Sequence, residues 1–224
     1  MTDTFPQIAL EADSVPQTLD LCETFLRPGA FHVEIGSGKG TFLLNYAKSH
    51  PHLNLLGIEW ANKYYRYSVD RLRRWGIENV RIIRTEAAAF LRHHLACSCV
   101  SVFHLYFPDP WPKKRHHKRR FVNQENIEQM HRCLVAHGEL RLATDHRGYF
   151  DWICAFFSGN EGNALLFEEH DFQPVSTAGA GEWVGSNFER KYLKEGREIY
   201  TLALRKVTRI NETQRNRRTY DTAP

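Results

Sequence analysis

Asp109 lies between two prolines and beside a tryptophan, in the run Phe107-Pro108-Asp109-Pro110-Trp111-Pro112. Each proline fixes its own φ and biases the preceding residue towards extended backbone, so the carboxylate is carried on a stiff turn. Six cations follow within eight residues: Lys113, Lys114, Arg115, Lys118, Arg119 and Arg120. A fixed acid can stabilise developing positive charge. A flat ring can stack on a base, and closely spaced cations can hold phosphates. Together these residues suggest chemistry on a nucleic acid.

A second group of residues surrounds a glycine turn, Val33-Glu34-Ile35-Gly36-Ser37-Gly38-Lys39-Gly40. Glycines between a strand and a helix let the backbone turn tightly and approach a ligand closely. A dinucleotide fingerprint would need a sixth-position glycine where Thr41 stands. The pattern is instead acidic-x-G-x-G-x-G, as in Rossmann-like methyltransferases that use S-adenosyl-L-methionine (SAM). Glu59 ends the next apolar run, where a carboxylate can accept hydrogen bonds from both ribose hydroxyls. Glu86 follows the third run, at the usual place of an adenine contact.

These positions require a particular scaffold. Short apolar runs at 31–35, 53–58, 80–83, 100–107 and 140–143 read as strands. Helical patterns read at 18–26, 41–50, 63–75, 86–94, 123–136 and 149–157, with Gly138 as the stop of the fifth. Strands alternating with helices predict an α/β fold, a Rossmann-like SAM-dependent methyltransferase architecture with a mostly parallel seven-stranded sheet and helices on both faces. Segments 165–169 and 199–205 read as two later strands, and 175–185 as a mobile loop. The expected division is an N-terminal extension with a short helix (1–29), a methyltransferase domain (30–206) and a basic flexible tail (207–224).

Composition narrows the function classes. The chain has 224 residues, 42% hydrophobic and 25% charged, which suits one globular domain. Its net charge is only +4, while residues 113–120 alone carry six cations, so the basicity is local. A second basic cluster comprises Arg205, Lys206, Arg209, Arg215, Arg217 and Arg218. No apolar run has membrane-spanning length, and the first residues lack a signal pattern. Five cysteines, an odd number spread through apolar segments, fit buried thiols in a reducing cytoplasm rather than a disulfide framework or a metal site.

The chain resembles the tRNA (guanine-N7-)-methyltransferase family. The matching pieces are Glu34 to Gly40, Gly57-Ile58-Glu59, Phe107 to Lys113 with His116, Lys118, Arg119 and Arg120, Ala143-Thr144-Asp145, and Ser186-Asn187-Phe188-Glu189 followed by Gly196. They occur in family order across about residues 30–205, and the proline–aspartate–tryptophan–basic segment is the most specific of them. Many members carry Asp or Asn in place of Glu86 and Thr in place of Ser186.

The resemblance implies methyl transfer from SAM to guanine N7 at position 46 in the tRNA variable loop. It implies that Glu34, Gly36, Gly38, Glu59, Glu86 and Asp109 line the cofactor pocket, with Asp109 also catalytic. Lys113, Asp145, Ser186, Asn187, Phe188 and Glu189 would contact the tRNA, with Glu189 accepting from the guanine edge. The other cations of 113–120, Arg120 included, would hold phosphates. Monomers and homodimers both occur in the family. Three residue-level alternatives stay open. Trp111 either stacks on the target base or braces the turn. Asp145 either faces the substrate or caps the following helix. Ser186 to Glu189 either read the base or simply start a helix. Two competing functions are methylation of an exocyclic amine on a nucleic-acid base and non-catalytic RNA binding.

Overall fold

Residues 8–10, 18–158 and 165–208 are described by a computed structural model. The strands are β1 (Ala9–Leu10), β2 (Phe31–Ile35), β3 (Asn54–Ile58), β4 (Val80–Ile83), β5 (Val100–Tyr106), β6 (Leu134–Thr144), β7 (Phe167–His170) and β8 (Tyr200–Lys206). The helices are α1 (Leu21–Phe25), α2 (Thr41–Ser49), α3 (Asn62–Arg74), α4 (Ala87–His93), α5 (Gln124–Cys133), α6 (Arg147–Phe157) and α7 (Asn187–Lys194).

All eight strands form one sheet, in the order β1-β4-β3-β2-β5-β6-β8-β7. β1 to β6 pair in parallel, and β8 runs antiparallel between β6 and β7. Alternate residues of each central strand enter opposite cores, as a sheet covered on both faces requires. Val33, Ile35, Leu56, Ile58, Phe103 and Leu105 pack on one side. Leu55, Val80 and Ile82 meet Phe42, Leu43 and Leu72 on the other. β3 carries Gly57 because a Cβ there would lie 2.5 Å from Leu43 Cδ1 of α2.

The strand order reverses at β2, which makes its carboxyl end the expected ligand crevice. The register sharpens this: Ile35 pairs with Ile58 on one side and Leu105 on the other. The chain therefore leaves β2, β3 and β5 at one level, and Gly36, Glu59 and the 107–112 turn emerge side by side.

The structure corrects four expectations. The sheet has eight strands, because Ala9–Leu10 pairs with Ile82–Ile83 at its edge. The helix expected over 123–136 ends at Cys133, and Leu134 already pairs with Val100. The register then jumps, with Val102 opposite Glu139, so residues 135–138 form a bulge within β6 and Gly138 belongs to the strand. The loop over 175–185 is tied internally by Val175 N–H donating to Trp183 O at 2.7 Å. Residues 209–224, which hold most of the second basic cluster, lie outside the described residues.

A polar chain crosses the core under α2. His32 Nδ1 lies 3.2 Å from His104 Nε2, and His104 Nδ1 lies 2.7 Å from the Tyr106 hydroxyl. Burial, aided by nearby His50, lowers His32 to a pKa of about 4. Burial and His32 hold His104 well below the usual histidine range.

Candidate active site

The turn that carries Asp109 is held from inside the protein. Phe107 N–H donates to Ala143 O at 2.7 Å as the chain leaves β5. Phe107 and Trp111 both adopt left-handed backbone, with φ of 54° and 42°. Such non-glycine conformations cost on the order of 1 kcal/mol each and persist only where the surroundings impose them. Arg120 provides much of that constraint. Its side chain is buried, its Nε donates to Pro110 O at 2.9 Å, and its guanidinium lies 4.8 Å from the ring centres of Tyr149 and Trp152. Arg120 is therefore no phosphate ligand, contrary to the sequence expectation; it clamps the turn against α6.

Asp109 projects from this turn as an exposed residue into a crevice of ≈ 700 Å³, a volume suited to a cofactor-sized molecule. The crevice also holds Gly36, Gly38, Glu59, Glu86 and Trp111. Trp111 has Arg119 over its ring at 5.0 Å and His116 at its edge at 5.8 Å. One side of the indole is thus engaged by the basic segment while the residue still lines the crevice. Lys113 to Arg115, Lys118 and Arg119 are exposed around a 3₁₀ turn over Lys114–Arg119, and so remain available to an anionic partner.

Glu34 and Glu59 behave differently. Glu59 Oε2 accepts from Gly38 N–H and Oε1 from Ala61 N–H, each at 2.7 Å. This carboxylate shapes the glycine turn and keeps lone pairs for hydroxyl donors. Glu34 is buried, and its Oε2 has no partner among the described residues. Burial, reinforced by Glu59, raises its pKa well above the usual carboxylate range. A buried, unsatisfied acid beside a glycine turn suits a cationic donor, such as the ammonium group of SAM. Gly36, at φ 76°, would point a Cβ into open space, so the backbone leaves room there. The residues present therefore fit SAM.

Glu86 reaches the crevice as the N-cap of α4, accepting from Ala88 N–H at 3.0 Å and Ala89 N–H at 2.7 Å. Asp145 does not cap α6. That place belongs to His146, whose Nδ1 accepts from Tyr149 N–H at 3.1 Å. Asp145 instead pairs with Arg197 Nη1 at 2.6 Å. Arg197 also lies 4.6 Å from the Tyr192 ring centre. Neither Asp145 nor Lys113 lines the Asp109 crevice.

The 186–189 segment divides by role. Ser186 caps α7 by accepting from Glu189 N–H at 3.1 Å. Asn187 and Phe188 face outward, and Phe188 lies beside both Gly38 and Phe107. Glu189 corrects the expected guanine contact. It is fully buried, and its carboxylate accepts from the N–H groups of Trp183 (2.5 Å), Val184 (3.0 Å) and Gly185 (2.7 Å). Those bonds occupy it with the 175–185 loop. Sequence reasoning missed Phe107, Tyr192 and Arg197 as site neighbours. Phe107 is part of the motif itself but was given no role, whereas Tyr192 and Arg197 belong to no local pattern.

The fold and this crevice define a SAM-dependent methyltransferase. A family described as putative methyltransferase matches residues 28–202. Among solved structures, a 30S ribosomal A1408 methyltransferase from an uncultured bacterium aligns with a TM-score of 0.58, covering 84% of this chain and 92% of its own at 15% identity. A SAM-dependent methyltransferase from Aquifex aeolicus aligns with a TM-score of 0.54 over 84% and 87% of the two chains at 11% identity. Both show the fold. The sequence relatives are more specific. A tRNA (guanine-N(7)-)-methyltransferase of Oceanobacillus iheyensis is 36% identical over 180 residues, 80% of this chain and 81% of the relative. One from Alkalilimnicola ehrlichii is 33% identical over 202 residues, 90% and 83% of the two chains. This chain belongs to the tRNA (guanine-N7-)-methyltransferase family.

Proposed function

We propose that this protein methylates N7 of guanine in tRNA, at position 46 of the variable loop, and that it does so in the cytoplasm. The observation that carries the reading is the Asp109 turn, which opens on the same crevice as Gly36, Gly38 and Glu59 and leads directly into the exposed basic segment. SAM supplies an electrophilic methyl group. Glu34 would meet its ammonium group, and Glu59 its ribose hydroxyls. Glu86 would border the adenine through the start of α4.

Guanine N7 has an in-plane lone pair and no proton, so the reaction needs alignment more than a general base. The purine becomes positively charged as the methyl is transferred. Asp109, aimed by its prolines and by Arg120, stabilises that charge and orients the base. Lys113, Lys114, Arg115, Lys118 and Arg119 hold the tRNA backbone, with Lys113 nearest the turn. Phe188 would border the guanine and Asn187 the RNA beside it, while Ser186 and Glu189 fix the segment that presents them. Asp145 would act through its pairing with Arg197. The test is incubation with labelled SAM and bulk tRNA lacking the modification, followed by digestion to nucleosides. The expected product is 7-methylguanosine; label in an exocyclic amine would support the competing enzyme class instead.

A further inference from the structure

A second groove, of ≈ 840 Å³, opens on the other side of the glycine turn. It shares Gly36, Gly38, Tyr64, Tyr106, Phe107 and Phe188 with the Asp109 crevice, and Glu34 lines its inner end beside the glycine turn, but none of residues 108–120 lines it. One wall is α3, through Tyr64, Tyr67 and Arg71; the other is α7, through Asn187, Lys191 and Lys194. Lys39 lies in the glycine turn between them.

Its cations are mostly uncompensated. Arg190 is paired with Glu182 at 2.8 Å, and Lys191 lies 3.8 Å from Glu195. Lys39, Arg71 and Lys194 meet no carboxylate among the described residues. Arg71 Nη1 donates to Thr41 Oγ1 at 2.6 Å, which fixes its positive charge beside the turn. The aromatics are exposed rather than packed, Tyr64 by 38% and Tyr67 by 47%. Exposed rings one helical turn apart, facing unpaired cations, form a surface for a chain of alternating flat bases and phosphates.

We propose that the outer part of this groove, between α3 and α7 and away from Glu34, is a second RNA-binding surface that holds the nucleotides flanking the target guanosine. Bases stack on Tyr64 and Tyr67, and phosphates meet Lys39, Arg71 and Lys194. The shared Phe188 divides the flanking nucleotides from the reacting base. The proposal rests on the function proposed above, in which RNA is the substrate. An acidic protein segment would match the charge but would leave the two rings without a stacking partner.

Tyr67 and Lys194 lie on the groove and off the Asp109 crevice, so they suit the test. Binding of unmodified tRNA and of SAM is measured separately, across a range of salt. Tyr67→Ala should raise the tRNA Kd roughly tenfold, and Tyr67→Phe should restore it. Lys194→Ala should lower the slope of log Kd against log salt by about one. The SAM Kd should be unchanged in all three variants. Wild-type tRNA affinity and slope in the alanine variants would overturn the proposal. A SAM Kd that rises with the tRNA Kd would also overturn it, since the groove would then belong to the cofactor. If the wild-type enzyme makes no 7-methylguanosine, the proposed function fails, whereas the groove is judged by these binding curves alone.

Discussion

Asp109 and Arg120 divide the work of one turn. Asp109 is exposed in the crevice, and Arg120 is buried beneath it. Asp109→Ala should therefore reduce single-turnover methyl transfer by roughly 10²-fold or more while most tRNA affinity survives. A near-wild-type single-turnover rate would remove Asp109 from the mechanism. Arg120→Ala should lower stability by about 2 kcal/mol, since it strips the clamp from Pro110 and the packing on Tyr149 and Trp152. The salt dependence of tRNA binding should not change in that variant. Lys118→Ala should show the reverse pattern, with unchanged thermal stability and a salt slope lower by about one. Thermal melts and binding titrations separate the two. Composition alone could not distinguish these neighbours in the basic run. A residue's charge is legible in sequence, but whether its side chain turns inward depends on the aromatic rings of α6, some thirty residues later. Glu189 shows the same limit. Its motif was legible, but its partners are backbone N–H groups, which carry no sequence signature.

At the scale of elements, α7 and the loop before it form one unit. Glu189 binds three consecutive loop N–H groups, and Arg190 grips Glu182 of the same loop with Nε at 2.8 Å and Nη2 at 3.1 Å. This fixes the helix start that presents Asn187 and Phe188. Glu189→Gln should speed amide exchange at Trp183, Val184 and Gly185 and weaken tRNA binding several-fold, with the SAM Kd unchanged. Unaltered exchange at those three amides would contradict the latch. Strands and helices around the glycine turn were readable because glycines punctuate them. The α5–β6 junction was not, because Leu134-Val135-Ala136 continues a helical pattern with no breaker before Gly138. Pairing with β5 decides that boundary, and this is a long-range contact.

The whole molecule is a mostly parallel sheet whose reversal at β2 helps bring five separate chain segments to one crevice. The segment ahead of the methyltransferase region also belongs to that architecture. Ile8, Leu19, Leu21 and Phe25 are buried in its cores, although the two-residue β1 was too short to read from sequence. The His32–His104–Tyr106 chain ties β2 to β5 within it and gives stability a pH dependence. His32 has a folded-state pKa lowered from 6.5 to about 4. Its contribution is therefore present above the unfolded value and lost as pH falls through the folded one. Glu34 works in the opposite sense, because its raised pKa favours the fold at low pH and the benefit fades as pH rises. Comparison with His32→Phe cancels the Glu34 contribution. Wild type should lose stability relative to that variant between pH 6.5 and 4, and parallel melting profiles would contradict the buried neutral histidine.

In the proposed reaction the crevice delivers a methyl group to guanine N7. The most direct measurement uses two tRNAs, identical except that one carries 7-deazaguanosine at the variable-loop target. The expected result is full methylation of the normal tRNA, mapped to that guanosine, and none of the deaza form, with equal affinity for both. Methyl transfer to the deaza tRNA, or to another atom of the normal one, would contradict it.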